Sequence, residues 1–280
     1  MLKKRNLIWL ISLIIITVIL GIPSAIWMKK EVKSDRAAHR SALDPVIMVP
    51  GSSATQNRFD SLVKIINQGS ARPHSLIKVT VERNNKLRIS GKLLNHDHRP
   101  FMVIAFADNA DGYQPVQRQA AWMNIAVNQL EKIYGFNRFS GIGHSNGGLI
   151  WTLYLEKYFN QNRFSIDRLM TIGTPYNFKE RNPKKQTNIL KELINGRKKL
   201  PKHLTVYSIN GSINYTTDGL VSAESVATGK YIFQGQVAHY TRITVTGNNT
   251  EHSDLPQNQQ IIKLIKQNIL ENQNPQVERK

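Results

Sequence analysis

The stretch FSGIGHSNGGLIWTLYLEKYF (139–159) decides how the rest of the chain is read. FSGIG (139–143) has the composition of a short buried strand, and LIWTLYLEKYF (149–159) is an apolar helix. Between them lies Gly143-His144-Ser145-Asn146-Gly147-Gly148, a G-x-S-x-G turn. In a strand–turn–helix setting this pattern presents a nucleophilic Ser on a strained bend. Small residues two positions either side let strand and helix pack closely around it. The helix N-terminus then aims backbone N–H groups at any oxyanion that forms. A Gly-rich turn before a helix with no chemistry is the plain alternative, so the partners of Ser145 have to be found elsewhere in the chain.

The surrounding sequence alternates strand-like and helix-like runs. VIMV (46–49) ends at Pro50-Gly51, and LIKVTVE (76–82) with KLRIS (86–90) flanks Asn84-Asn85 as a hairpin. FMVIAF (101–106), IDRLMTIG (166–173), LTVYSI (204–209) and TRITVTG (241–247) read as further strands. Helices are expected over about 116–134, 149–159 and 187–196, with a last one striped by Ile261, Ile262, Ile265 and Ile269. Apolar strands separated by helices imply an α/β fold, with a mostly parallel sheet and helices on both faces. Its chemistry belongs at the carboxyl ends of the strands.

In folds with this elbow the chain order is Ser, then acid, then His. The acid is sought after the next-to-last strand and the His after the last. LTVYSI leads into NGSINYTTDGLVSAES, which holds Asp218, and TRITVTG leads into NNTEHSDL, which holds His252. His252 would take the proton of Ser145 and return it to the leaving group, while Asp218 fixes the tautomer of His252. Glu224, Glu251 and Asp254 compete for the acid. The last two flank His252 and would be badly aimed at its ring. His144 is too close to Ser145, because neighbours on the elbow point apart. His203 and His239 precede strands and fall at the wrong end of the sheet. The oxyanion donors are expected to be the backbone N–H groups of Asn146 and of Ser52, in the turn Val49-Pro50-Gly51-Ser52-Ser53-Ala54.

Other features are weaker. His96-Asp97-His98 lacks a third or fourth metal ligand, so no metal and no cofactor is expected. Asp108 and Asp111 follow a core strand and either line the pocket or serve the next helix. Residues 179–202 carry nine Lys or Arg against two Glu. They lie where such folds insert a cap, within 176–203, and would attract an anionic substrate or surface, or simply solvate a helix.

Leu7–Met28 is 22 residues without a charge, with Trp9 and Trp27 near its ends. That suffices to cross a bilayer core. It is longer than the apolar core of a cleaved leader and is not followed by a clean cleavage site. The organisation expected is a cytoplasmic tail (1–6), a transmembrane signal anchor (7–28), a stalk (29–44), the catalytic domain (45–270) and a tail (271–280). The domain would lie outside the cytoplasm, held at the cell membrane by a single pass, or be secreted if the leader is removed. The chain has 280 residues, 38 Lys or Arg against 19 Asp or Glu, a net charge of +19 and no Cys. The absence of Cys excludes a disulfide scaffold, a thiolate metal site and a Cys nucleophile. An exported domain has no need of nucleic acid as a partner. The charge is then left for an anionic wall or lipid surface.

The blocks NRFSGIGHSNGGL, LMTIGTPYN, TTDGLVSAESV and TEHSDLPQN resemble a group of uncharacterised α/β-hydrolases of Gram-positive bacteria, described as cell-surface or membrane-bound. The resemblance spans most of residues 45–270. It implies an α/β-hydrolase fold with Ser145, Asp218 and His252 as triad, and no settled substrate. Members often carry His-Gly where this chain has Pro50-Gly51. The expectation is a serine hydrolase of the carboxylesterase or lipase type, with a small-molecule or lipid ester as substrate. An acyltransferase using the same triad is an alternative, and so is a surface-binding module with a relic site.

Overall fold

The computed structural model describes residues 43–271. The segments expected as tail, membrane span and stalk up to residue 42, and the tail beyond 271, lie outside the described residues. Among the described residues no helix is long and apolar enough to cross a membrane.

The strands are β1 (Val46–Val49), β2 (Leu76–Val81), β3 (Leu87–Ser90), β4 (Phe101–Phe106), β5 (Arg138–His144), β6 (Ser165–Ile172), β7 (Thr205–Gly211) and β8 (His239–Val245). They form one sheet in the order β3-β2-β4-β1-β5-β6-β7-β8. All neighbours are parallel except β2 and β3, which form the expected hairpin. Side-chain alternation divides β1 cleanly: Ile47 and Val49 enter one core, Val46 and Met48 the other. β1 and β4 are buried on both faces, which is why they read as unbroken apolar runs.

Among the described residues, seven α-helices cover the sheet. They are α1 (Asp60–Asn67), α2 (Tyr113–Tyr134), α3 (Asn146–Lys157), α4 (Asn188–Gly196), α5 (Ala223–Ala227), α6 (Lys230–Phe233) and α7 (Gln259–Ile265). α2, α3 and α4 bury their apolar sides in the core shared with Ile47 and Val49, whereas α1 and α7 close the opposite face. α2 stops at Gly135, whose φ of 72° gives the left-handed turn that ends many helices. α7 starts at Asn258, whose Oδ1 accepts from the N–H groups of Gln260 and Ile261.

The segment expected as a cap divides differently. Ile189, Leu190 and Leu193 of α4 are fully buried in the sheet-facing core, so this helix covers the sheet rather than the site. Arg197 donates to the Tyr231 carbonyl and Lys202 to the Gln236 carbonyl, away from the strand ends that carry Ser145. Of the nine basic residues in 179–202, Lys179 alone lines the cavity at Ser145.

Candidate active site

The loops after β1, β4, β5, β7 and β8 bring the sequence-selected residues to the carboxyl edge of the sheet. Ser145 sits between β5 and α3 with φ 56° and ψ −130°, a conformation L-residues rarely adopt and one that costs on the order of 1–3 kcal/mol. Its backbone N–H donates to the Ile172 carbonyl at 2.8 Å, which holds the bend. The flanking glycines are needed for space. A Cβ on Gly143 would lie 2.6 Å from the Gly148 nitrogen, and one on Gly147 would collide with the Val49 carbonyl. Gly51 is required for the same reason, since a Cβ there would lie 2.6 Å from the Cβ of Ser145. The Pro50-Gly51 turn is therefore pressed against Ser145.

Asp218 and His252 are in direct contact. His252 Nδ1 lies 2.7 Å from Asp218 Oδ2, and both residues are buried. The other carboxylate oxygen, Oδ1, accepts from the N–H of Leu220 at 3.0 Å and of Val221 at 2.7 Å. The His252 N–H donates to the Asp218 carbonyl at 2.8 Å, so backbone and side chain of Asp218 both fix the His. A carboxylate at Nδ1 selects the tautomer with Nδ1–H and leaves Nε2 free to accept a proton. His252 and Ser145 line the same cavity, of about 730 Å³. Ser52 and Asn146 also line it.

Three contributions escaped the sequence reading. The first is the side chain of Asn146, whose Nδ2 donates to Ser52 Oγ at 2.7 Å and to Asp111 Oδ1 at 2.6 Å. Asn146 thus ties the elbow to the β1 and β4 loops, and Asp111 resolves as a cavity residue. The second is His144. Its ring reaches the His252 loop, and His144 lines the cavity together with Ser145. Its Nε2 lies 2.9 Å from the His252 carbonyl, and the two imidazole centroids are 4.9 Å apart. A carbonyl only accepts, so Nε2 carries the proton. Burial, then the charges of Arg58 and His252, push the His144 pKa well below its ordinary value. It is neutral, and its Nδ1 is buried without a hydrogen-bond partner among the described residues. The third is Arg58 of the β1–α1 connection, which donates to the Ser253 carbonyl. The adjacency of His144, Ser145 and Asn146 in sequence carries no signal for such contacts.

Of His96-Asp97-His98, the middle residue has a structural role, while the two His are exposed. Asp97 is buried, and burial alone would raise its pKa. The His74 ring and the N–H groups of Ser75 and Arg99 more than offset this and hold it below its usual value. Among the described residues no group of three or more His, Cys, Asp or Glu is placed to hold a metal ion.

A mostly parallel sheet in this strand order, with a strained Ser at the bend after β5, defines the class of α/β hydrolases. The chain belongs to the family described as alpha/beta hydrolase of unknown function (DUF915), which matches residues 33–272. Among solved structures it is similar to a proposed cell surface hydrolase of Lactobacillus plantarum. That pair shares 53% identity over 82% of this chain and 92% of the other, with a TM-score of 0.75. It is also similar to a gene product of Listeria innocua, at 24% identity over 82% of this chain and 96% of that one, with a TM-score of 0.71. No curated protein matches the chain.

Proposed function

We propose that the protein is a serine hydrolase that cleaves carboxylic esters, held at the cell membrane by residues 7–28 with its catalytic domain outside the cytoplasm. The observation that carries this reading is a nucleophile-elbow Ser145 sharing one cavity with a His252 bonded through Nδ1 to a buried Asp218. Ser145 Oγ attacks the ester carbonyl carbon while His252 Nε2 takes the hydroxyl proton. The oxyanion is met by the backbone N–H groups of Ser52 and Asn146 at the N-terminal end of α3. His252 then protonates the departing alkoxide, leaving an acyl group on Ser145. Water, activated by the same His252, releases the acid and restores the enzyme. Asp218 keeps the His252 tautomer and faces the imidazolium that forms in both steps.

The cavity suits an ester with an apolar acyl part, since Pro175, Phe178, Leu220 and Val221 form part of its wall. The test is a series of 4-methylumbelliferyl esters of increasing acyl length. Turnover is expected in the parent chain, with kcat lowered on the order of a thousandfold or more in Ser145→Ala. Turnover unaffected by that substitution would remove the reading. Protease added to intact cells tests the placement: digestion of the domain is expected, and full protection contradicts an extracytoplasmic site.

A further inference from the structure

The loop that carries Asp218 also carries an unusual share of the exposed apolar surface. Ile213 is 54% exposed, Tyr215 87% and Leu220 70%, three of the six large apolar side chains so exposed among the described residues. They are held in one place. Ile213 N–H donates to the Thr217 carbonyl at 2.9 Å, Thr217 pairs with Ser222, and the Gly219 N–H donates to Thr217 Oγ1 at 3.0 Å. A Cβ on Gly219 would lie 3.2 Å from Ile213 Cδ1, so Ile213 lies against the turn that ends in Leu220. Asp218 Oδ1 fixes that turn through Leu220 N–H, while Oδ2 holds His252. A loop braced this way does not fold its apolar side chains inward. Leu220 is at once rim and wall, because it also lines the cavity at Ser145.

We infer that Ile213, Tyr215 and Leu220 form a rim that inserts into a lipid surface and passes acyl chains from that surface into the cavity. This rests on the proposed ester hydrolase and names its substrate class: lipid-packed esters. The occupant follows from three observations. Leu220, one of the three rim residues, also lines the cavity at Ser145. Glu251 and Asp254 share a neighbouring groove of about 600 Å³ with Ile213 and Tyr215, so the rim fits a zwitterionic headgroup layer better than an anionic one. Residues 29–42 separate the uncharged run 7–28 from the first described residue and can extend at most roughly 50 Å, so an anchored domain stays within reach of the bilayer. Tyr is also a side chain suited to the bilayer interface.

The test uses the full chain reconstituted in phosphatidylcholine vesicles, with 4-methylumbelliferyl oleate in the bilayer and 4-methylumbelliferyl butyrate in the water. In the double variant Ile213→Ser, Tyr215→Ser the oleate-to-butyrate ratio of turnover is expected to fall at least tenfold, with butyrate turnover within about twofold of the parent. An unchanged ratio, or equal loss on both esters, overturns the rim. A second readout needs no turnover. The chain has no Cys, so Tyr215→Cys accepts a single environment-sensitive fluorophore. Vesicles are expected to shift its emission to the blue, whereas Ile133→Cys, at the far end of α2, does not respond. No shift at position 215, or self-association of the parent chain that the double variant loses, assigns the surface elsewhere. Absence of turnover of either ester by the parent chain defeats the proposed hydrolase instead, and the fluorophore still reports on the rim.

Discussion

Asn146 Nδ2 donates to Ser52 Oγ at 2.7 Å, so the residue after Ser145 ties the elbow to the loop after β1, joining the two residues proposed to offer the oxyanion N–H groups. The same nitrogen donates to Asp111 Oδ1 at 2.6 Å, which fills its second hydrogen. This linkage braces the turn after β1, where Pro50 offers no side-chain donor.

Removing the brace should therefore act on the transition state. Asn146→Ala is expected to lower kcat about tenfold to hundredfold with KM within about threefold, less than the full loss of an oxyanion donor. Asn146→Asp should do more harm, because it sets a second carboxylate against Asp111. Steady-state kinetics with a boronic acid inhibitor checks this. Inhibitor affinity should fall with kcat, and a change confined to KM would place the role in substrate binding.

Asp218→Asn tests the tautomer. Oδ1 already accepts from the N–H groups of Leu220 and Val221, so the Asn oxygen would keep those bonds and turn its amide NH₂ toward His252. Nδ1 would then have to accept, and the proton would move to Nε2, where it blocks uptake from Ser145. A loss of kcat on the order of 10³–10⁴ is expected, with the thermal midpoint little changed.

His144 should leave a mark on acid stability. Burial keeps it neutral in the folded protein, while in the unfolded chain it titrates near 6.5. Below 6.5 the unfolded chain binds the extra proton, so stability is complete above that pH and is lost as pH falls toward the depressed folded value. His144→Gln keeps an N–H for the His252 carbonyl and removes the titration. Thermal midpoints between pH 7.5 and 5 should fall less steeply in the variant; parallel curves would contradict this.

Glu156, on the buried side of α3, has the opposite sign. Burial and then Glu192 raise its pKa from 4.5 to about 9, against the partial relief of Lys157 and Lys199. The folded protein holds a proton that the unfolded chain releases, so this group costs stability progressively from pH 4.5 up to about 9. Glu156→Gln should gain stability over the parent progressively as pH rises from 4.5 to 8, and lie closest to it near pH 4.5. Denaturant titrations at the two pH values decide it.

The strand ends were legible because burial on both faces leaves unbroken apolar runs, as in β1 and β4, and because the topology then dictates where Ser145, Asp218 and His252 must fall. α1, α5 and α6 were missed. Each is eight residues or fewer, and such helices depend on packing more than on their own propensity. Within 179–202 the density of charge masks Ile189, Leu190 and Leu193, whose spacing marks a core-facing helix. The Asn146–Asp111 and His144–His252 contacts join residues far apart in the chain, and no spacing rule encodes them.

The central claim is that Ser145 is the nucleophile, and mass mapping of a fluorophosphonate adduct on the full chain tests it most directly. A single adduct on Ser145, absent from Ser145→Ala and strongly slowed in His252→Ala, is the expected result. An adduct on any other residue, or undiminished labelling of the Ser145→Ala chain, would contradict it.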